Sequence, residues 1–157
     1  MHDVRMGLGF DAHRFGGKPP LLLGGVVVDP DRGVEATSDG DVVAHATCDA
    51  LLGSLNLGDM GMHFPSSDPR WAGADSMLML QTVVRMVLAS GWWVRNLDIT
   101  VVAQDLVIGP HRDAISVSLS EVLETEAVSL KATSTDGMGF TGRNEGLAAL
   151  AVVAVTI

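Results

Sequence analysis

Three side chains in the first third of the sequence have the chemistry of a metal site. Asp11 and His13 stand two residues apart at what the pattern indicates is the end of a strand, so both side chains leave the same face. His45 follows in a segment with helical spacing, and two histidines with one carboxylate are typical of a catalytic zinc, which keeps a fourth position open. Asp49, one helical turn after His45, is expected to hold the second ring nitrogen of that histidine. The alternative is an ordinary hydrogen-bonded pair on a strand end and a boundary histidine on a helix, without a metal.

Two later segments have the residue types that bind phosphate. Residues 131–136 (KATSTD) place three hydroxyls and a carboxylate directly after a predicted strand, a set suited to phosphate oxygens and to a hard cation such as magnesium. A polar turn with Asp136 at its tip is the alternative interpretation. Residues 139–146 are rich in glycine around Arg143, which suits either an anion-binding turn or a structural loop with an arginine–glutamate pair.

Composition limits the classes of partner. The chain of 157 residues has a formal net charge of −9 and only ten lysines and arginines, which argues against nucleic acid, because such binding requires a basic face. For the same reason a small phosphorylated substrate would need metal cations to neutralise its charge. No apolar run reaches the roughly 18 residues of a membrane span. The first residues lack the apolar stretch of a signal peptide and Cys48 is the single cysteine, so a cytoplasmic protein is expected.

The elements that must position these residues follow from hydrophobic spacing. The length predicts one domain over 1–157. A helix is predicted over about 39–56 with Ser38 or Asp39 as its N-cap, followed by a long loop over 58–75. The other predicted elements are strands at 5–10, 21–28, 97–103, 128–133 and 147–157, a helix from Met77 that stops near Gly91, and a helix over 110–123. The order ββααβαββ favours an α+β fold, a mixed sheet with helices packed on one face.

Five blocks of the sequence together resemble the 2-C-methyl-D-erythritol 2,4-cyclodiphosphate synthase family in order and in spacing. They are GLGFDAH at 7–13, SDGDVVAH at 38–45, LGDMG at 57–61, FPSSDP at 64–69 and KATSTDGMGFTGR at 131–143. The match runs essentially end to end, and five blocks in register are far more specific than any one of them.

The resemblance implies an activity and its cofactors. The family is a metal-dependent phosphorus–oxygen lyase of the non-mevalonate isoprenoid route, which converts 4-diphosphocytidyl-2-C-methyl-D-erythritol 2-phosphate to the cyclic diphosphate and CMP. The substrate's own 2-phosphate attacks the β-phosphorus, so no enzyme nucleophile is required. By resemblance, zinc would be held by Asp11, His13 and His45, and magnesium or manganese by Asp136 together with the substrate diphosphate.

The resemblance also implies further site residues and an assembly. Family members are homotrimers with each active site at a subunit junction, and a cavity on the trimer axis that could take an isoprenoid diphosphate. Residues matching the family's catalytic positions are Thr37, Ser134 and Asp136. Residues matching its substrate-binding positions are Asp11, Ala12, His13, Thr37, Ser38, Asp59, Met60, Gly61, Phe64, Pro65, Ser66, Ser67, Asp68, Ala103, Gln104, Asp105, Leu106, Val107, Ile108, Gly109, Thr133, Ser134, Thr135, Asp136, Phe140 and Arg143.

Three departures from the family pattern leave a second hypothesis open. Thr37 stands where the family commonly has a histidine, and its hydroxyl can donate a hydrogen bond but carries no charge. Residues 105–109 replace a stretch that usually contains Pro-Lys, whereas Ser134 and Asp136 keep the functional groups of the family's Thr and Glu. The competing hypothesis is a paralogue that binds zinc and a nucleotide or isoprenoid phosphate without turnover, and a metal-free structural protein is the third.

Overall fold

The strands and helices of the chain are seen in a computed structural model that describes residues 3–157. The strands are β1 (Val4–Arg14), β2 (Leu21–Leu23), β3 (Val26–Asp29), β4 (Trp93–Val102), β5 (Val128–Thr133) and β6 (Gly146–Thr156). The α-helices are α1 (Val42–Ser54), α2 (Met60–His63), α3 (Ser76–Ala89), α4 (Arg112–Leu123) and α5 (Gly139–Gly142), and short 3-10 helices lie at Pro69–Trp71 and Gly109–His111.

The main sheet has four strands in the order β1-β6-β4-β5. β6 pairs antiparallel with both β1 and β4, while β4 and β5 are parallel. β2 and β3 form a separate two-stranded hairpin. The predicted α+β class with a mixed sheet is therefore confirmed.

The long helices cover one face of this sheet. The residues of β4 and β6 that point towards the helices are fully buried, among them Leu97, Ile99 and Val153, and they form one core with the apolar faces of α1, α3 and α4. On the opposite face, Met6 and Leu8 of β1 remain 68% and 67% exposed. Helices on one face were predicted, and the opposite face of the sheet is apolar and left uncovered by residues 3–157.

Two glycines allow α1 to lie directly on β1. A Cβ atom at Gly7 would come within 1.9 Å of the carbonyl oxygen of Ala50, and one at Gly9 within 1.8 Å of the carbonyl oxygen of Ala46. Any other residue at these positions would push the helix away from the strand. The close packing brings the helix that carries His45 onto the strand that carries Asp11 and His13.

Helix α1 begins three residues later than predicted. Its N-cap is Asp41, and the proposed caps Ser38 and Asp39 are wrong. The Asp41 carboxylate accepts hydrogen bonds from the backbone N–H groups of Val43 and Ala44, and also from the hairpin turn at Gly24 and Gly25. The side chain is fully buried, and burial raises its pKa even though these N–H groups oppose the shift. The buried carboxylate thus fixes the start of α1 to the β2–β3 hairpin.

Two other predictions need correction. The single strand at 21–28 is two strands, because Gly24 and Gly25 adopt positive φ values of 56° and 76° and reverse the chain. This hairpin does not extend the first strand's sheet, since β1 pairs with β6. The loop at 58–75 contains two short helical segments, α2 and the 3-10 helix Pro69–Trp71, each started by an aspartate side chain.

Candidate metal and substrate site

Three ligand atoms meet where β1 passes α1. The Oδ2 atom of Asp11 lies 3.0 Å from Nε2 of His13 and 3.0 Å from Nδ1 of His45, and the two ring nitrogens are 3.3 Å apart. All three side chains are partly buried. These three residues are called the metal cluster. They come from two segments, β1 and α1, and His45 is more than 30 positions from Asp11 and His13 in the sequence, so the fold brings them together.

The spacing of these atoms fits a zinc ion. Ligands bound tetrahedrally at roughly 2.0–2.1 Å lie about 3.3 Å from one another, close to the three separations in the metal cluster. Two nitrogens and one carboxylate oxygen form three corners of such a tetrahedron and leave the fourth for another ligand. The metal-free alternative gives no reason for the ligand atoms of Asp11, His13 and His45 to lie at this spacing.

Charge interactions within the metal cluster are strong. Burial alone would raise the pKa of Asp11, but hydrogen bonds and charge interactions with His13 and His45 lower it to about 2. Burial alone would lower the pKa of His45, yet Asp11, with further charge from Asp41 and Asp39, raises it. The carboxylates of Asp11, Asp39 and Asp41 therefore provide negative charge that favours a cation beside His45.

The partner predicted for the second nitrogen of His45 is wrong. Asp49 instead accepts a hydrogen bond from the backbone N–H of Met60 at 2.8 Å, because it points towards α2. The Nε2 atom of His45 lies 2.8 Å from the hydroxyl of Ser76 and 3.1 Å from that of Ser38. Asp49 therefore helps to position the 59–61 segment and does not contact the metal cluster.

A cavity of about 170 Å³ opens beside the metal cluster. Its polar side carries the hydroxyls of Thr37 and Ser38, and its apolar side is formed by large side chains. Trp71 packs edge-on against Phe64, with ring centroids 5.0 Å apart. The lining consists of His13, Ala36, Thr37, Ser38, His45, Met60, Phe64, Ser66, Trp71 and Met79.

The predicted segments 59–61 and 64–68 border this cavity and are held by their own turns. Asp59 starts α2 through a bond to the backbone of Met62, with Met60 and Gly61 as the first helical residues. Asp68 starts the following 3-10 helix and pairs with Arg70. Met60, Phe64 and Ser66 reach the cavity. Pro65 and Ser67 belong to the turn that ends at Asp68. Ala12 borders a neighbouring cavity with His13 and Phe140.

Residues 103–109, all predicted to bind substrate, follow the end of β4 beside β5. The backbone N–H of Ala103 donates to Thr133, and Gln104 accepts from the backbone of Gly137. Leu106 packs partly against the core, Val107 is exposed, Ile108 is buried and Gly109 begins a 3-10 helix.

Asp105 ties this segment to two distant parts of the chain. Both of its carboxylate oxygens accept from Arg32, at 2.7 and 3.2 Å, and Oδ2 also accepts from Nδ2 of Asn144 at 2.9 Å. The Arg32 guanidinium stacks over the Phe15 ring, 4.8 Å from its centroid. Hydrogen bonding from Arg32 lowers the pKa of Asp105. Arg32 and Asn144 thus hold the 103–109 segment in place through Asp105.

The hydroxyl segment, residues 133–136, follows β5 and is largely exposed. The Ser134 hydroxyl donates to the Asp136 carboxylate at 3.3 Å, and Asp136 adopts a positive φ of 51°. The hydroxyl of Thr135 bonds instead to Thr141 and to the backbone of Met138, which fixes the turn. Ser134 and Asp136 are therefore open to a ligand.

The remaining predicted residues, Phe140 and Arg143, lie on or just after α5. Phe140 is 42% exposed, and Arg143 forms an exposed ion pair with Glu145 at 3.0 Å. The arginine–glutamate pair predicted as one alternative is thus present.

A single chain does not bring the two halves of the predicted site together. Asp11 and His13 lie on β1, at one edge of the sheet, and the hydroxyl segment follows β5, at the other edge. Both groups are at the same end of the sheet, since His13 pairs with Leu147 while Val102 pairs with Ala148 and Thr133. Three strand spacings, about 14 Å, separate them.

The site contains residues that the sequence reasoning missed. Ser76 contacts His45, Asp39 accepts from the Ser76 hydroxyl, and Trp71 and Met79 line the cavity. Asp75-Ser76 before an apolar run signals a helix start, which α3 has, but no local pattern indicates that Ser76 faces a histidine 31 residues away.

Comparisons with known proteins identify the family of this chain. A family model described as the YgbB family matches residues 4–156. A curated relative from Shewanella loihica named 2-C-methyl-D-erythritol 2,4-cyclodiphosphate synthase is 51% identical over 153 residues, 96% of this chain and 95% of the relative.

Two solved structures have the same fold. The bifunctional IspDF from Campylobacter jejuni matches with a TM-score of 0.96 at 38% identity, covering 99% of this chain and 43% of that one. A CDP-bound 2C-methyl-D-erythritol-2,4-cyclodiphosphate synthase matches with a TM-score of 0.85 at 35% identity, covering 95% and 98%. None of the helices within residues 3–157 is long and apolar enough to cross a membrane.

Proposed function

The chain belongs to the YgbB family, and we propose that it converts 4-diphosphocytidyl-2-C-methyl-D-erythritol 2-phosphate to 2-C-methyl-D-erythritol 2,4-cyclodiphosphate and CMP. The reaction supplies isoprenoid precursors by the non-mevalonate route. The observation that carries this proposal is the metal cluster of Asp11, His13 and His45 beside a cavity with hydroxyls on one side. Relatives that match nearly the whole chain are named for the same activity, and this does not favour the hypothesis of a non-catalytic paralogue.

The cofactors of the proposal are zinc in the metal cluster and magnesium or manganese at Asp136. The atom spacing of the metal cluster supports zinc, and the exposed carboxylate beside the Ser134 hydroxyl supports a hard cation with oxygen ligands. When bound, the two cations supply the positive charge that a diphosphate requires and that this acidic chain lacks.

The protein's own residues act by positioning. The cavity beside the metal cluster suits the methylerythritol part, because Phe64 and Met60 provide an apolar side and Ser66 a polar one. Thr37 and Ser38 can donate hydrogen bonds to phosphate oxygens there. Residues 103–109 with 133–136 hold the cytidine diphosphate part. The substrate, held at both ends, folds back on itself, so that an oxygen of its 2-phosphate bonds to the β-phosphorus. The bond between the β-phosphorus and the bridging oxygen breaks, and CMP leaves with that oxygen.

The proposed assembly is a homotrimer with each active site between two chains. One support is the separation of about 14 Å between the two halves of the site within one chain. The other is the uncovered apolar face of the sheet, where Met6, Leu8, Phe10 and Leu150 are exposed. Packing three such faces together would bury them, and the proposed axial cavity would offer an apolar lining to an isoprenoid diphosphate.

The location and the domain organisation complete the proposal. The whole chain, 1–157, forms the one domain that catalyses the reaction. A reducing cytoplasm suits its single cysteine, because Cys48 is a buried free thiol, and burial raises its pKa above the range in which it would react.

The direct experiment follows the reaction by phosphorus NMR with zinc and magnesium present. The proposal expects equal amounts of CMP and cyclic diphosphate, and none from a His45→Ala variant. Zinc binding without any product in the wild-type protein would favour the non-catalytic paralogue.

Mixing two inactive variants tests the site between chains. A His45→Ala chain lacks the metal half and an Asp136→Ala chain lacks the other half, so random assembly would restore roughly one site in four. Recovery to about a quarter of wild-type activity after subunit exchange is expected. A mixture as inactive as its components would contradict a shared site.

A further inference from the structure

The structure contains a chain of hydrogen bonds behind the metal cluster that the proposed reaction does not itself require. It runs from His45 to the hydroxyl of Ser76 and on to the carboxylate of Asp39. We infer that Ser76, supported by Asp39, is a positioning residue that fixes the tautomer and the ring orientation of His45 for metal binding. This inference rests on the metal site of the proposed function.

The assignment of the two His45 nitrogens follows from their surroundings. Nδ1 faces Asp11 and His13 at 3.0 and 3.3 Å, so it is the atom available to a metal. A metal-bound imidazole is neutral and keeps its proton on the other nitrogen. Nε2 therefore carries the proton and needs an acceptor, which the Ser76 oxygen provides at 2.8 Å.

The hydroxyl of Ser76 is itself oriented by Asp39. One carboxylate oxygen of Asp39 accepts from the Ser76 hydroxyl, and the other accepts from the Ser76 backbone N–H at 3.0 Å. The Ser38 oxygen, another acceptor within reach of this hydroxyl, is farther away at 3.4 Å. With its proton directed to Asp39, the Ser76 oxygen presents its lone pairs to His45.

The surroundings make this arrangement rigid. Ser76 is completely buried and is the first residue of α3, which the Asp75 side chain caps. Asp39 also accepts from the backbone N–H of Asp41, the N-cap of α1. The chain of bonds therefore joins the starts of α1 and α3 and holds His45 between them.

The arrangement has a second consequence for Ser38. Its hydroxyl also lies within reach of Nε2, at 3.1 Å, and it lines the cavity beside the metal cluster. Because Ser76 is the nearer acceptor for His45, the Ser38 hydroxyl remains available to a substrate oxygen. Removing Ser76 would redirect the hydrogen bond of the His45 Nε2–H group to the Ser38 oxygen. His45 would then lose its proper orientation, and the Ser38 hydroxyl would no longer be available to the substrate.

The test compares zinc affinity in two serine variants. Ser76→Ala removes the acceptor, and Ser54→Ala is the matched control, because Ser54 is a buried serine of α1 whose hydroxyl donates to the carbonyl of Leu51. Competition with a chromophoric chelator should give a 10–100-fold weaker zinc affinity for Ser76→Ala, as is typical when the outer partner of a metal-ligating histidine is lost. Ser54→Ala should bind zinc within about twofold of wild type.

Two further readouts separate positioning from general damage. Nitrogen NMR of the zinc-bound protein should find His45 with its proton on Nε2 in the wild-type protein, and a changed Nε2 signal in Ser76→Ala only. If Ser76→Ala fails to fold without metal, Asp39→Asn is measured in its place. Its zinc affinity is expected to be about threefold to tenfold weaker than that of wild type.

The outcomes distinguish this inference from the proposed function. The role of Ser76 would be overturned if Ser76→Ala bound zinc as tightly as Ser54→Ala. If Ser76→Ala does not fold, a zinc affinity of Asp39→Asn equal to that of wild type would overturn it. A wild-type protein that binds no zinc, or a His45→Ala variant that binds it normally, would instead overturn the metal site itself.

Discussion

The metal cluster and the hydroxyl segment contain similar polar groups in opposite surroundings. Asp11, His13 and His45 are partly buried, lie within 3.3 Å of one another and are carried by a long strand and a long helix. Ser134 and Asp136 are exposed and follow the end of an edge strand. Within residues 3–157, the Ser134 hydroxyl and the Asp136 carboxylate have only each other's residue within hydrogen-bonding distance.

This difference indicates how the site is completed. The folding of one chain gathers the metal cluster, because Gly7 and Gly9 bring α1 onto β1 and Asp41 fixes where α1 begins. The Ser134 and Asp136 side chains have no comparable support within residues 3–157, and we propose that a ligand and a neighbouring chain supply their partners. A site preformed in one half and open in the other can bind its first cation without substrate.

The largest effect is expected from His45→Ala. The variant removes one of three metal ligands, and we expect turnover to fall by about 10³-fold or more because the metal's charge is lost. Zinc content, measured by mass spectrometry, should fall with it, while His111→Ala, which changes a histidine outside the metal cluster, should keep its zinc. Loss of turnover with full zinc content would mean that His45 acts other than as a ligand.

The next largest effect is on stability, from Asp41→Ala. Four backbone N–H groups would lose their acceptor in a buried place, so the free energy of unfolding should fall by about 3 kcal/mol. Asp75→Ala removes the exposed N-cap of α3 and should cost only about 1 kcal/mol. Urea unfolding measures both values. Equal losses would show that the tie between α1 and the hairpin contributes little.

Asp136→Ala should affect activity and leave the metal cluster intact. We expect turnover to fall by about 10²-fold, because the second cation loses its protein ligand, with unchanged zinc content and unchanged thermal stability. Asp136→Glu keeps the carboxylate and should retain most of the activity. A drop in zinc content in Asp136→Ala would mean that the two halves are not independent.

The smallest effect is expected from Arg32→Ala. The ion pair with Asp105 is partly exposed, so its loss should weaken the affinity for CDP by only about threefold to fivefold, with kcat nearly unchanged. Calorimetric titration with CDP measures the change, and Arg85→Ala, whose arginine bonds to a neighbouring glutamine on α3, is the control. An equal affinity in both variants would mean that Asp105 does not hold the segment 103–109 in place.

The sequence was informative where the signal is local. Alternation placed Asp11 and His13 on one face of a strand, and helical spacing placed His45, α3 and α4 close to their observed positions. The glycine pair at 24 and 25 is also a local turn signal, but the prediction of a single strand at 21–28 overlooked it.

The errors concern contacts between distant segments. Asp41 is the N-cap in place of Ser38 or Asp39 because a hairpin turn 16 and 17 residues earlier donates to its carboxylate. Asp49 was chosen as the partner of His45 on helical spacing alone, whereas Ser76 reaches the ring from another helix. Such contacts depend on how helices pack on the sheet, which no single segment encodes.

Metal binding without substrate tests the difference between the two halves most directly. The substrate-free protein is titrated with zinc, followed by mass spectrometry, and with manganese, followed by electron paramagnetic resonance. The account predicts one tightly bound zinc per chain, absent in His45→Ala, and manganese binding that becomes strong only when CDP is added. Zinc that binds only with substrate, or manganese that binds equally well with and without CDP, would contradict it.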